Sequence, residues 1–440
     1  MEAEPPSDRS LNDFSDHLLL HILSFLPTLD AVRTASVCRK WQTLLPSLSS
    51  LNFDFSLFPP AESPSATRRL FADSVDIYLL RRPHCPLLKL RFQFDFREHL
   101  YCFHIDSWIR YAVNHGVNEI DIDFYINRDY HVSDTDGGGD NEPCYFVFYL
   151  DTIRNSRVRV LKLCRCDLIL PIGLASSVAF KSIQSLYLDQ IYLTDEMVSD
   201  LILGCANLES LVLEYCYDMK ELKICSSRLK SLSLLYFHSQ NEEEESVEIC
   251  APNLVSFRIV CFEMWMYSLK ETGSLVEAYV EFMHEERHYE YWSKVVRFLT
   301  GVKHLVVENW WFRLHSSLEI SPENLGFNNL TSVELRTGYT TYDLLGIAAL
   351  LECSPNLETL IVNVLLKIDE DESLSEELLK RPIKFSMPSL REVKIKSFSD
   401  AQLLFNFMKL LIEQRVVLEK IIAVAVNGES TVMLITPQPF

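Results

Sequence analysis

The hexapeptide Leu208-Glu-Ser-Leu-Val-Leu213 has apolar residues at its first, fourth and sixth positions, and this pattern recurs along most of the chain. In an extended segment the fourth and sixth residues lie on one face, so each copy predicts a short strand with one buried face. Twelve copies follow one another: Leu87/Leu90/Phe92, Val117/Ile120/Ile122, Val158/Leu161/Leu163, Ile183/Leu186/Leu188, Leu208/Leu211/Leu213, Leu229/Leu232/Leu234, Leu254/Phe257/Ile259, Leu275/Ala278/Val280, Val302/Leu305/Val307, Leu330/Val333/Leu335, Leu357/Leu360/Val362 and Leu390/Val393/Ile395. Such recurrence indicates one structural unit used many times.

The spacing of the copies indicates the type of repeat. Most copies begin 21 to 30 residues after the previous one. This period is typical of leucine-rich repeats, in which each unit contributes a short strand and a return segment. We therefore expect an α/β fold in which residues 52–385 form a leucine-rich-repeat solenoid. Its parallel strands would form a curved sheet on the concave side, with helices and loops on the convex side.

Two longer gaps interrupt this spacing. The copies at Val117 and Val158 begin 41 residues apart, and those at Leu357 and Leu390 begin 33 apart. Each gap contains an acidic stretch, and we interpret these stretches as loop insertions at 128–143 and 368–380. The first includes three glycines at 137–139, which no helix or lysine follows as a phosphate-binding loop would require.

Further residues recur in step with the pattern. The position three after the last apolar residue holds Cys166 and Cys216 in two copies, in a slot where such repeats favour Asn or Cys. In other copies the same position holds Ile191, Phe237, Phe262 or Trp310. The sequence Cys250-Ala-Pro-Asn-Leu254 returns as Cys353-Ser-Pro-Asn-Leu357 and, without proline, as Cys205-Ala-Asn-Leu208. We expect the two slot cysteines to be buried.

A helix with its own end signals is predicted before two of these segments, and the first of them shows the signals. Thr194 is placed as its N-cap, and Gly204 lies just past its expected end. Met197, Val198, Leu201 and Ile202 form its expected inward face.

The segment Ser10–Leu51, SLNDFSDHLLLHILSFLPTLDAVRTASVCRKWQTLLPSLSSL, has helical periodicity instead. Two adjoining apolar rows, Leu18/Ile22/Phe25 and Leu19/Leu23/Leu26, predict a helix that ends before Pro27. Thr28 stands where the N-cap of a second helix belongs, and a third is expected between Ser36 and Leu45, with Val37, Trp41 and Leu44 on one side. About forty residues rarely bury three such helices alone, so part of this apolar surface requires a partner.

This segment resembles the F-box of plant F-box/leucine-rich-repeat proteins. The resemblance rests on Asp16-His-Leu-Leu-Leu-His-Ile-Leu-Ser-Phe-Leu-Pro27, Asp30-Ala-Val-Arg-Thr34 and Ser36-Val-Cys-Arg-Lys-Trp41. It implies an F-box at 10–51 whose three helices bind the Skp-type adaptor of a cullin-RING ubiquitin ligase. The adaptor-binding residues that it implies are Leu18, Leu19, Ile22, Leu23, Pro27, Val37 and Trp41. Phe14-Ser15 replaces the family's usual Leu-Pro, and His17 replaces an acidic residue.

The C-terminal region carries a second resemblance. Residues 386–430, from Met387-Pro-Ser-Leu-Arg-Glu-Val-Lys-Ile-Lys396 through an amphipathic helix near 401–413 to a final apolar run, resemble the FBD segment of many such plant proteins. A strand-helix-strand unit there would cap the last repeat. We expect residues 1–9 to be a disordered N-terminus and residues 431–440 to be a tail.

Composition excludes several classes of function. Forty-one basic and 61 acidic residues give a formal charge of −20 over 440 residues, which disfavours nucleic acid and anionic membranes as partners. The first thirteen residues lack an apolar core of the kind found in signal peptides, and no stretch of 18 apolar residues occurs. We expect a protein of the nucleus or cytoplasm, with its twelve cysteines reduced. The sequence contains no CxxC pair, which is a common signature of a metal site. We expect no cofactor.

One motif favours an enzyme instead. His284-Glu-Glu-Arg-His288 satisfies HExxH, in which two imidazoles bind zinc and the glutamate activates water. The metzincin pattern would require a histidine at position 294, which is Lys294. Glu308 has an acceptable spacing for a third ligand but lies at the end of a predicted strand. We interpret the motif as a solvated turn before a helix that packs through Trp292, Val295, Val296 and Leu299.

Together these features predict a non-catalytic substrate-recognition subunit of a Skp-cullin-F-box ubiquitin ligase. The F-box would bind the adaptor and, through it, the cullin and RING subunits, while the strand face of the array would bind an unknown target protein. Candidate residues of that face are Tyr187, Asp189, Glu214, Arg258, Tyr279, Glu281, Glu308 and Arg336. The alternatives are a zinc metallopeptidase that uses residues 284–288 and a repeat scaffold without a role in ubiquitin transfer.

Overall fold

A computed structural model describes residues 14–36, 39–124, 144–237, 246–261, 266–270, 273–282, 295–308, 326–337, 350–364, 389–398, 420–425 and 430–434. The chain divides into two compact units, Met1–Tyr217 and Asp218–Phe440. Several predicted features lie outside the described residues: Val37, the acidic insertions, the HExxH motif, Trp292 and the helix near 401–413.

The first unit begins with three short helices, as the sequence predicts. They are α1 (Asp16–Ser24), α2 (Thr28–Ala35) and α3 (Arg39–Leu44), followed by a 3-10 turn at Leu45–Ser47. The Ser15 side chain caps α1 by accepting a hydrogen bond from the Leu18 amide at 3.4 Å. Lys40 on α3 forms an ion pair with α1, in which its ammonium nitrogen lies 3.3 Å from an Asp16 carboxylate oxygen.

Thr28 is not the N-cap of α2, so that prediction is wrong. Pro27 occupies the cap position, and Thr28 is the first helical residue, with only 3% of its surface exposed. Its hydroxyl oxygen accepts a hydrogen bond from the backbone N–H of Asn52 at 2.8 Å. The hydroxyl therefore joins α2 to the first strand of the repeats, a tertiary contact that local sequence does not encode.

The remainder of the first unit consists of parallel strands and connecting helices. The strands are β1 (Ser50–Asp54), β2 (Lys89–Gln93), β3 (Glu119–Asp123), β4 (Phe146–Tyr149), β5 (Val160–Cys164), β6 (Cys166–Ile169), β7 (Ser185–Asp189) and β8 (Ser210–Glu214); the helices are α4 (Pro64–Arg81), α5 (Cys102–Asn114) and α6 (Asp195–Gly204). The main sheet has the order β1-β2-β3-β5-β7-β8, with every pair parallel. Strands β4 and β6 form a separate parallel pair.

Helix α6 follows its predicted end signals closely. The Thr194 hydroxyl accepts a hydrogen bond from the Met197 amide at 3.3 Å, which confirms the N-cap. Gly204 is the last helical residue rather than the residue after the helix. A Cβ at this position would come within 2.7 Å of the Leu174 carbonyl oxygen, so only glycine permits this close approach.

The described residues of the second unit lie mostly in strands. They are β9 (Glu221–Cys225), β10 (Ser231–Phe237), β11 (Ser246–Cys250), β12 (Ser256–Cys261), β13 (Met266–Lys270), β14 (Glu277–Phe282), β15 (His304–Glu308), β16 (Ser332–Thr337), β17 (Thr359–Val364), β18 (Glu392–Phe398), β19 (Lys420–Ala425) and β20 (Ser430–Leu434). The order β10-β12-β14-β15-β16-β17-β18-β19 is parallel throughout. Strand β20 pairs antiparallel to β19.

Two parts of the second unit differ from the predicted architecture. Strands β9, β11 and β13 form their own parallel sheet, so the return segments of these repeats are strands where helices or loops were expected. Residues 431–434, predicted to be a tail, belong to β20. The antiparallel β19–β20 pair ends the main sheet, while β18 and β19 are the two strands expected of the FBD-like segment.

The core confirms the repeat pattern at every copy. All three apolar residues of each of the twelve triplets are at most 5% exposed. The intervening residues of the strands are mostly partly exposed, as alternation along a strand requires. Each buried leucine contributes roughly 1.5–3 kcal/mol of apolar burial, so the repeated triplets account for much of the stability of both units.

An asparagine directly before the first apolar residue of a triplet has a defined contact. Its side-chain amide donates to a backbone carbonyl of the preceding repeat in four copies: Asn207 to Lys181 at 2.9 Å, Asn253 to Ser227 at 2.8 Å, Asn329 to Gly301 at 3.4 Å and Asn356 to Asn328 at 2.8 Å. The asparagine therefore joins successive repeats outside the sheet, which explains why it recurs with the period of the repeats.

Candidate protein-binding surfaces

The two apolar rows of α1 have different environments. Leu19 and Leu23 are fully buried and hold α1 against the other F-box helices. Leu18 and Phe25 are 40% and 74% exposed, and Ile22 between them is partly exposed. The Phe25 ring packs edge-on against His21, with ring centroids 4.7 Å apart. One row thus stabilises the F-box, and the other is an apolar surface, which we call the α1 row (Leu18, Ile22 and Phe25).

The residues predicted to bind the adaptor fall into a buried group and an exposed or partly exposed group. Leu19, Leu23 and Trp41 are buried, with at most 7% of the surface of each exposed. They support the F-box helices and are not available to a partner in this conformation. Leu18 and Ile22 lie on the α1 row, and Pro27 is partly exposed. Phe25, the most exposed member of the row, was not among the predicted adaptor-binding residues, although its helical spacing from Ile22 places it beside them.

A second candidate surface lies on the second unit, on the strand face that points away from the core. Arg258, Tyr279 and Val306 stand side by side because β12, β14 and β15 pair in this register. The Arg258 guanidinium lies over the Tyr279 ring, with Cζ 4.4 Å from the ring centroid. Arg336 also lies over this ring, at 4.9 Å, and its Nη1 donates a hydrogen bond to the Tyr279 hydroxyl.

Carboxylates surround Arg336. Arg336 Nη1 lies 3.6 Å from Glu281 and 3.9 Å from Glu308, and its Nε lies 3.9 Å from Glu334. The Tyr279 hydroxyl donates to Glu281. The structure therefore brings together all five predicted face residues of this unit. We call Arg258, Tyr279, Glu281, Glu308 and Arg336 the Tyr279 cluster.

Burial and contacts within the Tyr279 cluster raise the pKa values of two of its members, Glu308 and Tyr279. Burial raises the pKa of the Glu308 carboxyl to about 7, the nearby Glu281 carboxylate adds to this shift, and Arg336 opposes it. Burial and the hydrogen bond donated to Glu281 raise the pKa of the Tyr279 hydroxyl above its usual range. The raised pKa means that the Glu308 carboxyl keeps its proton to a higher pH than an isolated glutamate does.

The corresponding face of the first unit is acidic around β7. Tyr187 donates a hydrogen bond to Glu214 at 2.6 Å, and the Cys164 thiol donates to Asp189 at 3.2 Å. Burial raises the pKa of Asp189 to about 6; the thiol hydrogen bond opposes this shift, and Glu214 and Asp123 add to it. The three predicted residues of this unit therefore lie on neighbouring strands and share a small network.

Sequence analysis missed two neighbours of these residues. Cys164 contacts Asp189, and Lys396 Nζ lies 3.1 Å from Glu334. Both directly follow the last apolar residue of a triplet, as Asp189, Glu214, Glu281, Glu308 and Arg336 do. The same positional rule, applied to every copy, would have found them.

No group of three or more His, Cys, Asp or Glu in the described part of the chain is arranged to hold a metal ion. No described helix is both long and apolar enough to span a bilayer. The predicted zinc motif itself lies outside the described residues.

Comparison with known protein families agrees with this architecture. Residues 85–434 match the family model "At1g61320/AtMIF1, LRR domain", and residues 11–53 match the F-box domain model. The chain belongs to the F-box/leucine-rich-repeat proteins. The matched ranges correspond to the array of strands and to the three N-terminal helices that precede it.

Relatives from Arabidopsis thaliana carry the same combination. F-box/LRR-repeat protein At1g06630 is 26% identical over 89% of this chain and 91% of its own length, and F-box/LRR-repeat protein At4g14096 is 26% identical over 81% and 73%. F-box/FBD/LRR-repeat protein At2g04230 is 30% identical over 53% of this chain, a match that spans about half of that relative. An F-box joined to leucine-rich repeats supports a substrate-adaptor role: such proteins are generally non-catalytic, the F-box binding a Skp-type adaptor and the repeats binding targets.

Proposed function

We propose that this F-box/leucine-rich-repeat protein is the substrate-recognition subunit of a Skp-cullin-F-box ubiquitin ligase in the nucleus or cytoplasm. The observation that carries the proposal is the α1 row, an apolar surface on an F-box whose own core is already filled by Leu19 and Leu23. Leu18, Ile22, Phe25 and Pro27 would bind the Skp-type adaptor, which connects the chain to the cullin and RING subunits. Burying apolar side chains of this size favours association by roughly 1.5–3 kcal/mol each.

The Tyr279 cluster is the proposed contact surface for the target. Aromatic and arginine side chains contribute most to protein interfaces, and here two guanidinium groups hold one tyrosine ring in place. Carboxylates around the ring would exclude targets with an acidic segment at this position and favour those with polar or basic groups.

Reconstitution tests the proposed ligase role. The full chain, a Skp-type adaptor, a cullin and a RING subunit are mixed and separated by size-exclusion chromatography. We expect one complex that contains all four proteins. A chain that binds the adaptor but never retains the cullin would instead be a repeat scaffold without a role in ubiquitin transfer.

Target capture tests the proposed recognition surface. The full chain is affinity-purified from plant cells with the proteasome inhibited, in parallel with Tyr279→Ala and with Lys270→Ala on the separate β9-β11-β13 sheet. We expect a set of proteins that is retained by the wild-type and Lys270→Ala chains and lost from Tyr279→Ala. Identical sets from all three chains would contradict the assignment of this surface.

A further inference from the structure

An apolar groove in the first unit lies between F-box helix α2 and the long helix α4. Its volume is about 460 Å³, within the roughly 300–1,000 Å³ of pockets that hold small molecules. Leu29 and Val32 line it from α2, and Val75, Ile77 and Tyr78 line it from α4. Two structural elements that are separate in sequence thus form one site, which we call the α2–α4 groove.

The interior of the groove is almost entirely apolar. Phe53, Phe58 and Phe71 complete its lining, and Val32 and Ile77 remain 37% and 49% exposed. Exposed aliphatic groups beside a concave aromatic surface favour the binding of a hydrocarbon group, because burial removes both from water.

Two of the polar residues that line the groove already have partners. The Asp54 carboxylate accepts hydrogen bonds from the backbone N–H and the hydroxyl of Ser56, at 2.9 and 2.6 Å. The Tyr78 hydroxyl donates to the Leu45 carbonyl oxygen at 3.2 Å. Burial raises the pKa of Tyr78 to about 12, while the nearby Arg82 charge opposes this shift. Neither group requires a ligand.

Arg82 is different, because it is a buried charge with one unused donor. Only 7% of its surface is exposed. Four of its N–H contacts are to oxygen atoms: Nη1 donates to Cys85 O at 3.0 Å and to the Tyr111 hydroxyl at 3.3 Å, and Nη2 donates to Leu48 O at 2.6 Å and to Pro86 O at 3.1 Å. A guanidinium has five N–H donors, and the buried Nε has no acceptor among the described residues.

The charge of Arg82 is also not neutralised by an acid. Among the described residues no ion pair includes it, and its hydrogen bonds go to carbonyl and hydroxyl oxygens. Arg81, exposed at the same groove, adds a second positive charge, against one carboxylate at Asp54. The groove therefore carries a net positive charge in a chain of formal charge −20. A guanidinium forms its strongest hydrogen bonds with a carboxylate.

We propose that the α2–α4 groove binds a small apolar monoanion, a carboxylate with a hydrocarbon body. The body would lie against Val32, Val75 and Ile77, and the carboxylate would lie beside Arg81 and Arg82, which also line the groove. Such a ligand would contact the F-box and α4 together and so stabilise the junction between them. This site is independent of the α1 row and of the Tyr279 cluster.

Calorimetric titration of the full chain tests the site with dodecanoate as the probe, kept below its micelle-forming concentration. We expect one equivalent to bind. Dodecanol, the matched neutral probe, should bind at least roughly tenfold more weakly, because it lacks the negative charge that the two arginines would attract. This pair of ligands tests the role of the positive charge at the groove without altering the protein.

Two tryptophan variants of α4 locate the binding. Ser74 is exposed and lines the groove, so Ser74→Trp should fill it and abolish dodecanoate binding. Leu80 is 84% exposed on the same helix and does not line the groove, so Leu80→Trp should bind as the wild type does. Arg82→Gln is a poor test because Arg82 also holds four oxygen acceptors in place.

Several results would overturn the proposal. Equal affinity for dodecanoate and dodecanol would remove the role of the charge. Undiminished binding by Ser74→Trp, or equal losses in both tryptophan variants, would place the ligand elsewhere or show non-specific surface adsorption. Absence of dodecanoate binding to the wild-type chain would leave the groove to a protein partner.

Discussion

Arg336 and Tyr279 are 57 residues apart in the chain, yet Arg336 Nη1 donates a hydrogen bond to the Tyr279 hydroxyl and its Cζ lies 4.9 Å from the ring centroid. Strands β14, β15 and β16 carry the two residues into this position, since their parallel register aligns Tyr279 with Val306 and Glu308 with Arg336. The spacing of the repeats therefore determines which side chains meet on the surface, although they are remote in sequence.

The Tyr279–Arg336 contact should be measurable as a coupling free energy. A double-mutant cycle of Tyr279→Leu and Arg336→Met should give a coupling of about 1 kcal/mol in denaturant unfolding, because cation–π contacts contribute about 0.5–2 kcal/mol. The control cycle pairs Tyr279→Leu with Lys303→Met, an exposed cation of the same unit, and should give a coupling near zero. Equal coupling in both cycles would contradict a specific contact.

The raised pKa of Glu308 predicts a pH dependence of stability. Its folded-state pKa of about 7 lies above the usual value of 4.5, so between these values the folded chain binds more protons than the unfolded chain. Stability should therefore fall as the pH rises from about 5 to 8. Glu308→Gln removes the ionisation, so its urea midpoint should fall less than that of the wild type over this range.

The exposed residue Glu358 supplies the control for this comparison. Glu358→Gln should keep the pH profile of the wild type. If Glu308→Gln follows the wild-type profile as well, Glu308 does not carry the raised pKa.

The slot cysteines should react slowly in the folded chain. Cys166 and Cys216 are each 2% exposed, and burial raises the pKa of the Cys216 thiol to about 12 and that of Cys166 above its usual range. Iodoacetamide reacts with the thiolate, so both should remain unmodified at pH 7.5 until denaturant is added. Mass spectrometry of alkylated peptides measures this, with the exposed Cys225 as the reactive reference. Labelling of Cys216 as fast as Cys225 would contradict its burial.

Much of the fold can be predicted from the sequence because the same apolar triplet recurs in every repeat. The triplet pattern identifies twelve strands and their buried residues, and Thr194 marks the start of α6 through a contact with its own helix. Such features depend on periodicity and on neighbours within one helical turn. They are therefore visible in a single sequence.

The features that the sequence did not reveal depend on contacts between distant segments. Threonine is a common N-cap residue, but the Thr28 hydroxyl instead accepts a hydrogen bond from the backbone N–H of Asn52, 24 residues away. Strands β9, β11 and β13 form a second sheet because three successive return segments align in register. On α1, periodicity places both apolar rows on one broad face; only the packing of the neighbouring helices decides that Leu23 is buried and Phe25 exposed.

The adaptor-binding role of the α1 row is the central claim, and one substitution at its most exposed residue tests it. Phe25 is 74% exposed, so Phe25→Asp should leave the F-box folded while placing a charge in the proposed interface. Phe103, 78% exposed on α5, provides the matched control Phe103→Asp. Calorimetry with a purified Skp-type adaptor measures both. We expect Phe25→Asp to weaken binding by roughly 30-fold or more, since interface hot spots contribute about 2 kcal/mol or more, and Phe103→Asp to bind as the wild type does. Wild-type affinity in a folded Phe25→Asp chain would contradict the account.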